Sequence, residues 1–115
     1  MNVTIYHNPR CSKSRATLQL LRDRGIEPRV VEYLKEPPSA TELEEILRAL
    51  GMEPRELMRR NEAVYKELGL DDEALTRKQL VAAMVEHPVL IERPIVRRAR
   101  KAALGRPPEQ VLEVL

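Results

Sequence analysis

The sequence predicts one α/β domain carrying a helical insertion, and three observations predict it. Alternation at Val3 and Ile5, an amphipathic run after a turn-rich stretch, and the β-branched "PRVVEYL" give strand, helix, strand at the start. Two capping boxes and helical spacing occupy about residues 39–87. "PIVRR" and "RKAAL" then return to strand-like composition near the end. A chain of 115 residues favours a single domain, residues 1–115, around one modest core.

The elements follow in order. "NVTIY" (2–6) reads as a short strand and "HNPRCS" as its exit turn. Ser14 to Arg24 is helical, with Thr17, Leu20, Leu21 and Arg24 on one face, Leu18 at its edge and Gly25 as the stop. "PRVVEYL" (28–34) is the second strand, so a right-handed parallel crossover is expected. In "SATE" (39–42) the Ser39 hydroxyl can accept from the Glu42 amide while Glu42 reaches back. Leu43, Ile46, Leu47 and Leu50 continue as an apolar stripe that ends at Gly51. Pro54 opens a short helix through Arg59, and Asn61 caps another through Leu68. "TRKQ" (76–79) is a second capping box, with Leu75 and Leu80 as its staple and the helix running to about His87. "PIVRR" and "RKAAL" form a strand pair whose tight turn lacks the usual Gly or Asn. Pro107 or Pro108 starts a final helix with Val111, Val114 and Leu115 facing inward.

Composition excludes several function classes. With 43% hydrophobic and 33% charged residues the chain reads as soluble and globular. A net charge of +2 with interspersed signs argues against nucleic-acid binding. No run of about 18 apolar residues suggests a membrane span, and "MNVTIYHN" lacks the features of a signal peptide. Aromatic residues make up 3%, all tyrosine, so the core is expected to be aliphatic. No Cys/His/Asp cluster has metal-ligand spacing. One cysteine forms no internal disulfide, which suits a cytoplasmic setting.

That cysteine, Cys11, falls between strand and helix in "YHNPRCSKSR". A lone cysteine is ordinarily a small buried filler. This one sits at a helix start, where unpaired amides and the positive dipole end favour a thiolate and an oxyanion beside it. Arg10, Lys13 and Arg15 flank it, and a protonated His7 would add positive charge. Ser12 and Ser14 are hydroxyl donors or helix caps. Ser14 also occupies the position where a CxxC protein has its second cysteine, so any redox cycle here needs an external thiol.

Four segments in order, "IYHNPRCSKSR", "LMRRNEAVYKELGL", "HPVLIERPIV" and "GRPPEQVL", make the chain resemble the glutaredoxin-coupled arsenate reductase (ArsC) family. The resemblance implies a thioredoxin-like fold with a mixed four-stranded sheet and an inserted helical subdomain. Cys11 matches the family's catalytic cysteine and His7 a histidine that favours its thiolate, while Ser14 and Arg15, as near neighbours, are expected to help activate it. Arg59, Arg93 and Arg106 match the oxyanion-binding arginines, with Arg60 the alternative to Arg59 and Ser12 an added donor. A cis Arg93–Pro94 bond that turns Arg93 toward Cys11 is implied as well. The activity implied is reduction of arsenate to arsenite by a monomer, with no bound cofactor, glutathione as co-substrate and glutaredoxin as the resolving partner. The chain resembles short members that lack a C-terminal tail. Two other readings of the same residues are a glutathione-dependent thiol oxidoreductase of another substrate and an Spx-like transcription regulator. Many of the latter carry a CxxC switch that Ser14 rules out.

Overall fold

In the computed structural model, which describes residues 2–115, four short strands lie side by side. They are β1 (Val3–Tyr6), β2 (Arg29–Val31), β3 (Ile95–Arg98) and β4 (Lys101–Leu104), and their order across the sheet is β2-β1-β3-β4. β1 runs parallel to β2 with Ile5 opposite Val30, and antiparallel to β3 with Ile5 opposite Val96. β3 pairs antiparallel with β4, which places Ile95 opposite Leu104. The sheet is therefore mixed. Its parallel pair is joined by α1 (Ser12–Asp23), the long crossover that parallel neighbours require.

These strands, α1 and a closing 3₁₀ segment (Pro108–Val114) make one compact unit, built from residues up to Glu36 together with Arg93–Leu115. Its core is aliphatic: Val3, Ile5, Leu21, Val96, Val111 and Val114 are buried, and Leu18, Leu20, Ile26, Ala103 and Leu115 pack partly against them. Burying each such side chain contributes about 1.5–3 kcal/mol. The buried face of α1 is Ser14, Thr17 and Leu21, so two of its three inward residues are polar. Arg24 is the C-cap beyond the helix and is exposed, which corrects its expected place on the helical face of Thr17 and Leu21. Gly25, at φ +76°, takes the left-handed turn that follows.

Pro37–Glu92 form the second unit. It contains α2 (Ala40–Leu50), α3 (Pro54–Leu57), α4 (Ala63–Glu67), α5 (Arg77–Glu86) and a 3₁₀ turn at Pro88–Leu90. The Ser39 hydroxyl accepts the Glu42 N–H at 3.1 Å, and Gly51 at φ +67° ends α2. Thr76 and Gln79 form a reciprocal capping box on α5. Leu43, Ile46, Leu47, Leu57, Leu80 and Met84 are buried in this unit. The unit extends past the expected end near His87 because residues 90–92 fold back along 57–59. Arg59 N–H donates to Leu90 O at 2.7 Å and Glu92 N–H to Leu57 O at 2.8 Å.

Several local expectations need correction. β2 stops at Val31 because residues 32–36 close a turn, with the Lys35 and Glu36 amides both donating to Glu32 O. α3 ends at Leu57, and α4 is capped at Glu62 rather than Asn61. The last element is 3₁₀ rather than α, as shown by the i→i+3 bonds Gln110 N–H to Pro107 O and Leu115 N–H to Leu112 O. The β3–β4 turn places Ala99 at φ +54°, filling a left-handed position with a residue that has a Cβ. No helix among the described residues is long and apolar enough to cross a membrane.

Candidate active site

Cys11 is the N-cap residue of α1, with extended backbone at φ −94° and ψ 123°. The turn before it is built by Asn8 and Pro9. The Cys11 N–H donates to Asn8 O, and the Arg10 N–H donates to Asn8 Oδ1, each at 3.0 Å. The Cys11 carbonyl accepts the first helical bond, from Arg15 N–H at 3.0 Å. The cysteine is therefore fixed where the α1 amides point outward, and the Ser14 and Lys13 N–H groups face its thiol.

The thiol balance is decided by competing effects. Burial pushes the Cys11 thiol up, whereas the Ser14 amide, the Arg93 charge, the Lys13 amide and the Arg106 charge pull it down. The lowering group prevails, so the thiol lies below its ordinary value and a larger share of it is ionised than in an ordinary thiol.

The two arginines come from the other end of the chain and are held together. Arg93 precedes β3, and Arg106 follows β4 across the same hairpin. Arg106 Nη1 donates to Arg93 O at 3.2 Å, and the Gly105 N–H donates to Pro94 O at 2.9 Å. The Arg93 Nε atom is shut off from solvent. The Arg93–Pro94 bond is cis, as the resemblance implies, and so is Arg106–Pro107.

His7 lies at the end of β1, its N–H continuing the ladder to Val31 O at 2.8 Å. Its Nδ1 lies 2.7 Å from Ser14 Oγ, and Ser14 Oγ accepts the Asn8 N–H at 3.0 Å. Burial is the largest influence on His7 and lowers its pKa; Glu32 opposes this, and Arg22 and Arg15 reinforce it. The cationic form of the imidazole is therefore disfavoured relative to a free histidine. Its connection to the thiol runs through Ser14. Arg15 donates from Nη1 to Pro9 O at 3.0 Å and so braces the turn. Ser12 is exposed on the first turn of α1.

The first unit thus brings together Cys11, His7, Ser14, Arg93 and Arg106. Arg59 belongs to the second unit, where Nη1 pairs with Glu62 at 2.7 Å and Nε faces Glu92 at 3.9 Å. Arg60 beside it is exposed. Asn8, which shapes the turn, was signalled by the "NP" dipeptide but not singled out. Among the described residues no cluster of three or more His, Cys, Asp or Glu could hold a metal.

Against known proteins, residues 6–114 match the ArsC family. The chain is 57% identical over 114 residues to the uncharacterized protein YfgD of Escherichia coli (strain K12), covering 98% of this chain and 96% of that one. It is 50% identical to an arsenate reductase of Haemophilus influenzae, with each chain covered completely. The solved structure of an arsenate reductase from Vibrio cholerae superimposes with a TM-score of 0.97 at 56% identity, covering 100% of this chain and 98% of the other.

Proposed function

The chain belongs to the ArsC family and has its thioredoxin-like fold, and from that premise we propose that it is an arsenate reductase working through the Cys11 thiolate. One observation carries the reading. The only cysteine caps a helix start, with its thiol lowered by two amides and by the arginines that flank the β3–β4 hairpin. Relatives at about half identity that bear the name arsenate reductase support it.

In the first step the Cys11 thiolate attacks arsenic(V). An S–As bond forms, and one arsenate oxygen leaves as water after taking up protons. Arg93 and Arg106 bind the remaining oxygens as forked donors, and the exposed amides of the first turn with Ser12 add single bonds. Arg59 is the third oxyanion-binding arginine in this reading, with Arg60 its competitor. His7, Ser14 and Arg15 hold the turn so that the thiolate keeps its amide donors.

The second step needs two electrons, and no second cysteine is present to supply them. Glutathione thiolate attacks the Cys11 sulfur, the S–As bonding pair passes to arsenic, and arsenite leaves. A Cys11–glutathione disulfide remains. A glutaredoxin thiolate then takes the glutathione and releases the Cys11 thiolate. The reaction takes place in the cytoplasm, with the protein acting as a monomer. An oxidoreductase of the same glutathione chemistry with a different substrate would use the same activated thiol.

The test is NADPH oxidation coupled through glutathione reductase, with glutathione, glutaredoxin and arsenate present. Arsenate-dependent turnover that disappears in Cys11→Ser is expected. Turnover of a small disulfide without any response to arsenate would assign the other substrate class.

A further inference from the structure

We infer that Gly105 is a positioning residue: its missing side chain lets Thr17 of α1 and the Pro94 ring close around one backbone position, which sets the spacing between Cys11 and the guanidinium groups of Arg93 and Arg106. This rests on the reading of Cys11 as an activated thiolate and extends it to a residue that touches no reacting atom.

The steric requirement is direct. A Cβ placed on Gly105 would overlap Thr17 Oγ1, lie 2.7 Å from Pro94 Cγ and lie 3.1 Å from Thr17 Cγ2. Contacts under 3.0 Å are essentially never made by real Cβ atoms, so something would have to move. Gly105 is buried, and it is not among the glycines with positive φ. Glycine is therefore needed for close approach rather than for an unusual backbone angle.

None of the neighbours can step aside cheaply. Thr17 Oγ1 donates to Lys13 O at 2.8 Å, and a β-branched side chain in a helix has few other rotamers. Pro94 is a rigid ring. Gly105 itself is tied by its N–H to Pro94 O at 2.9 Å. The added volume would therefore displace backbone, and each backbone involved carries part of the site. Gly105 is bonded to Arg106 and Pro94 to Arg93. Thr17 follows Lys13 and Ser14, whose amides face the thiol, by about one helical turn. One methyl group would thus wedge the helix start away from the two arginines.

The experiment measures the rate of Cys11 alkylation by iodoacetamide against pH in the wild type, Gly105→Ala and Gly51→Ala. The last is a control for lost stability: Gly51 sits at φ +67° in the second unit with nothing within 4 Å of an added Cβ. Gly105→Ala is expected to shift the titration upward, slowing alkylation at neutral pH on the order of threefold to tenfold. Gly51→Ala should melt earlier yet keep the wild-type titration. A Gly105→Ala titration that overlays the wild type overturns the proposal.

If Gly105→Ala does not fold, Thr17→Val and Thr17→Ala carry the test. Both lose the hydrogen bond to Lys13, but only valine places a bulkier methyl against Gly105. A titration raised in Thr17→Val and unchanged in Thr17→Ala is expected, and equal titrations in the two overturn the proposal. An ordinary thiol pKa in the wild type itself would instead refute the activated-thiolate reading, so the two failures are distinguishable.

Discussion

His7 Nδ1 and Ser14 Oγ meet at 2.7 Å inside the protein, and the same hydroxyl receives the Asn8 N–H at 3.0 Å. One serine side chain thereby fastens the end of β1 to the first turns of α1 and fixes the loop that presents Cys11. Ser14→Ala removes both bonds and leaves a buried imidazole nitrogen without this partner. A loss of about 1–3 kcal/mol in stability is expected, read as a lower urea midpoint. The Ser14 amide survives the change, so the thiol should shift less than it does when an arginine is removed.

His7 should make stability fall on mild acidification. Its folded pKa is depressed below the ordinary 6.5 by burial, with Glu32 opposing and Arg22 and Arg15 assisting. The unfolded chain therefore binds the proton more readily. This contribution to stability is fully present above 6.5 and is lost as pH falls through the folded value. The wild-type Tm should drop over that window, and His7→Gln should flatten that part of the curve. Because burial disfavours the charged imidazole, His7→Gln should move the Cys11 titration little.

Arg93 and Arg106 are expected to govern the thiol directly. Arg93→Ala or Arg106→Ala should raise the alkylation midpoint of Cys11, with thiolate at neutral pH falling on the order of threefold to tenfold. Lysine at either position should restore part of the shift but not the forked oxyanion contact. Arg59→Ala should instead raise KM for arsenate while leaving the Cys11 midpoint in place. The same result from Arg60→Ala alone would transfer the role to Arg60.

Ala99 should be improvable. It occupies φ +54° at the β3–β4 turn, where a Cβ costs about 1–2 kcal/mol. Glycine relieves that cost but has more freedom to lose on folding. Ala99→Gly is expected to stabilise by about 1 kcal/mol, measured by denaturant unfolding, with no change in the Cys11 titration.

What was legible in the sequence was mostly local. The Val3/Ile5 alternation, the Ser39 and Thr76 caps and the Gly51 stop are decided within a few residues, and they stand in the structure as read. The sequence predicts β2 on to Leu34 because Tyr33 also suits a strand, whereas the turn at Glu32 is set by hydrogen bonding. The last segment has an inward set that fits either helix type, and 3₁₀ bonding was not visible in the pattern. On the site side, Cys11 was marked by its place between strand and helix. The lowered pKa of His7 comes first from burial, which a motif does not encode. The packing of Thr17, Pro94 and Gly105 joins segments far apart in the chain, and only folding brings it into view.

Whether Cys11 is an activated thiolate at an anion site is read from the pH dependence of its alkylation with and without arsenate. A midpoint below that of an ordinary thiol is expected, together with saturable protection by arsenate that is lost in Arg93→Ala and Arg106→Ala. A midpoint at the ordinary thiol value with no protection at any arsenate concentration would contradict an activated thiolate at an anion site.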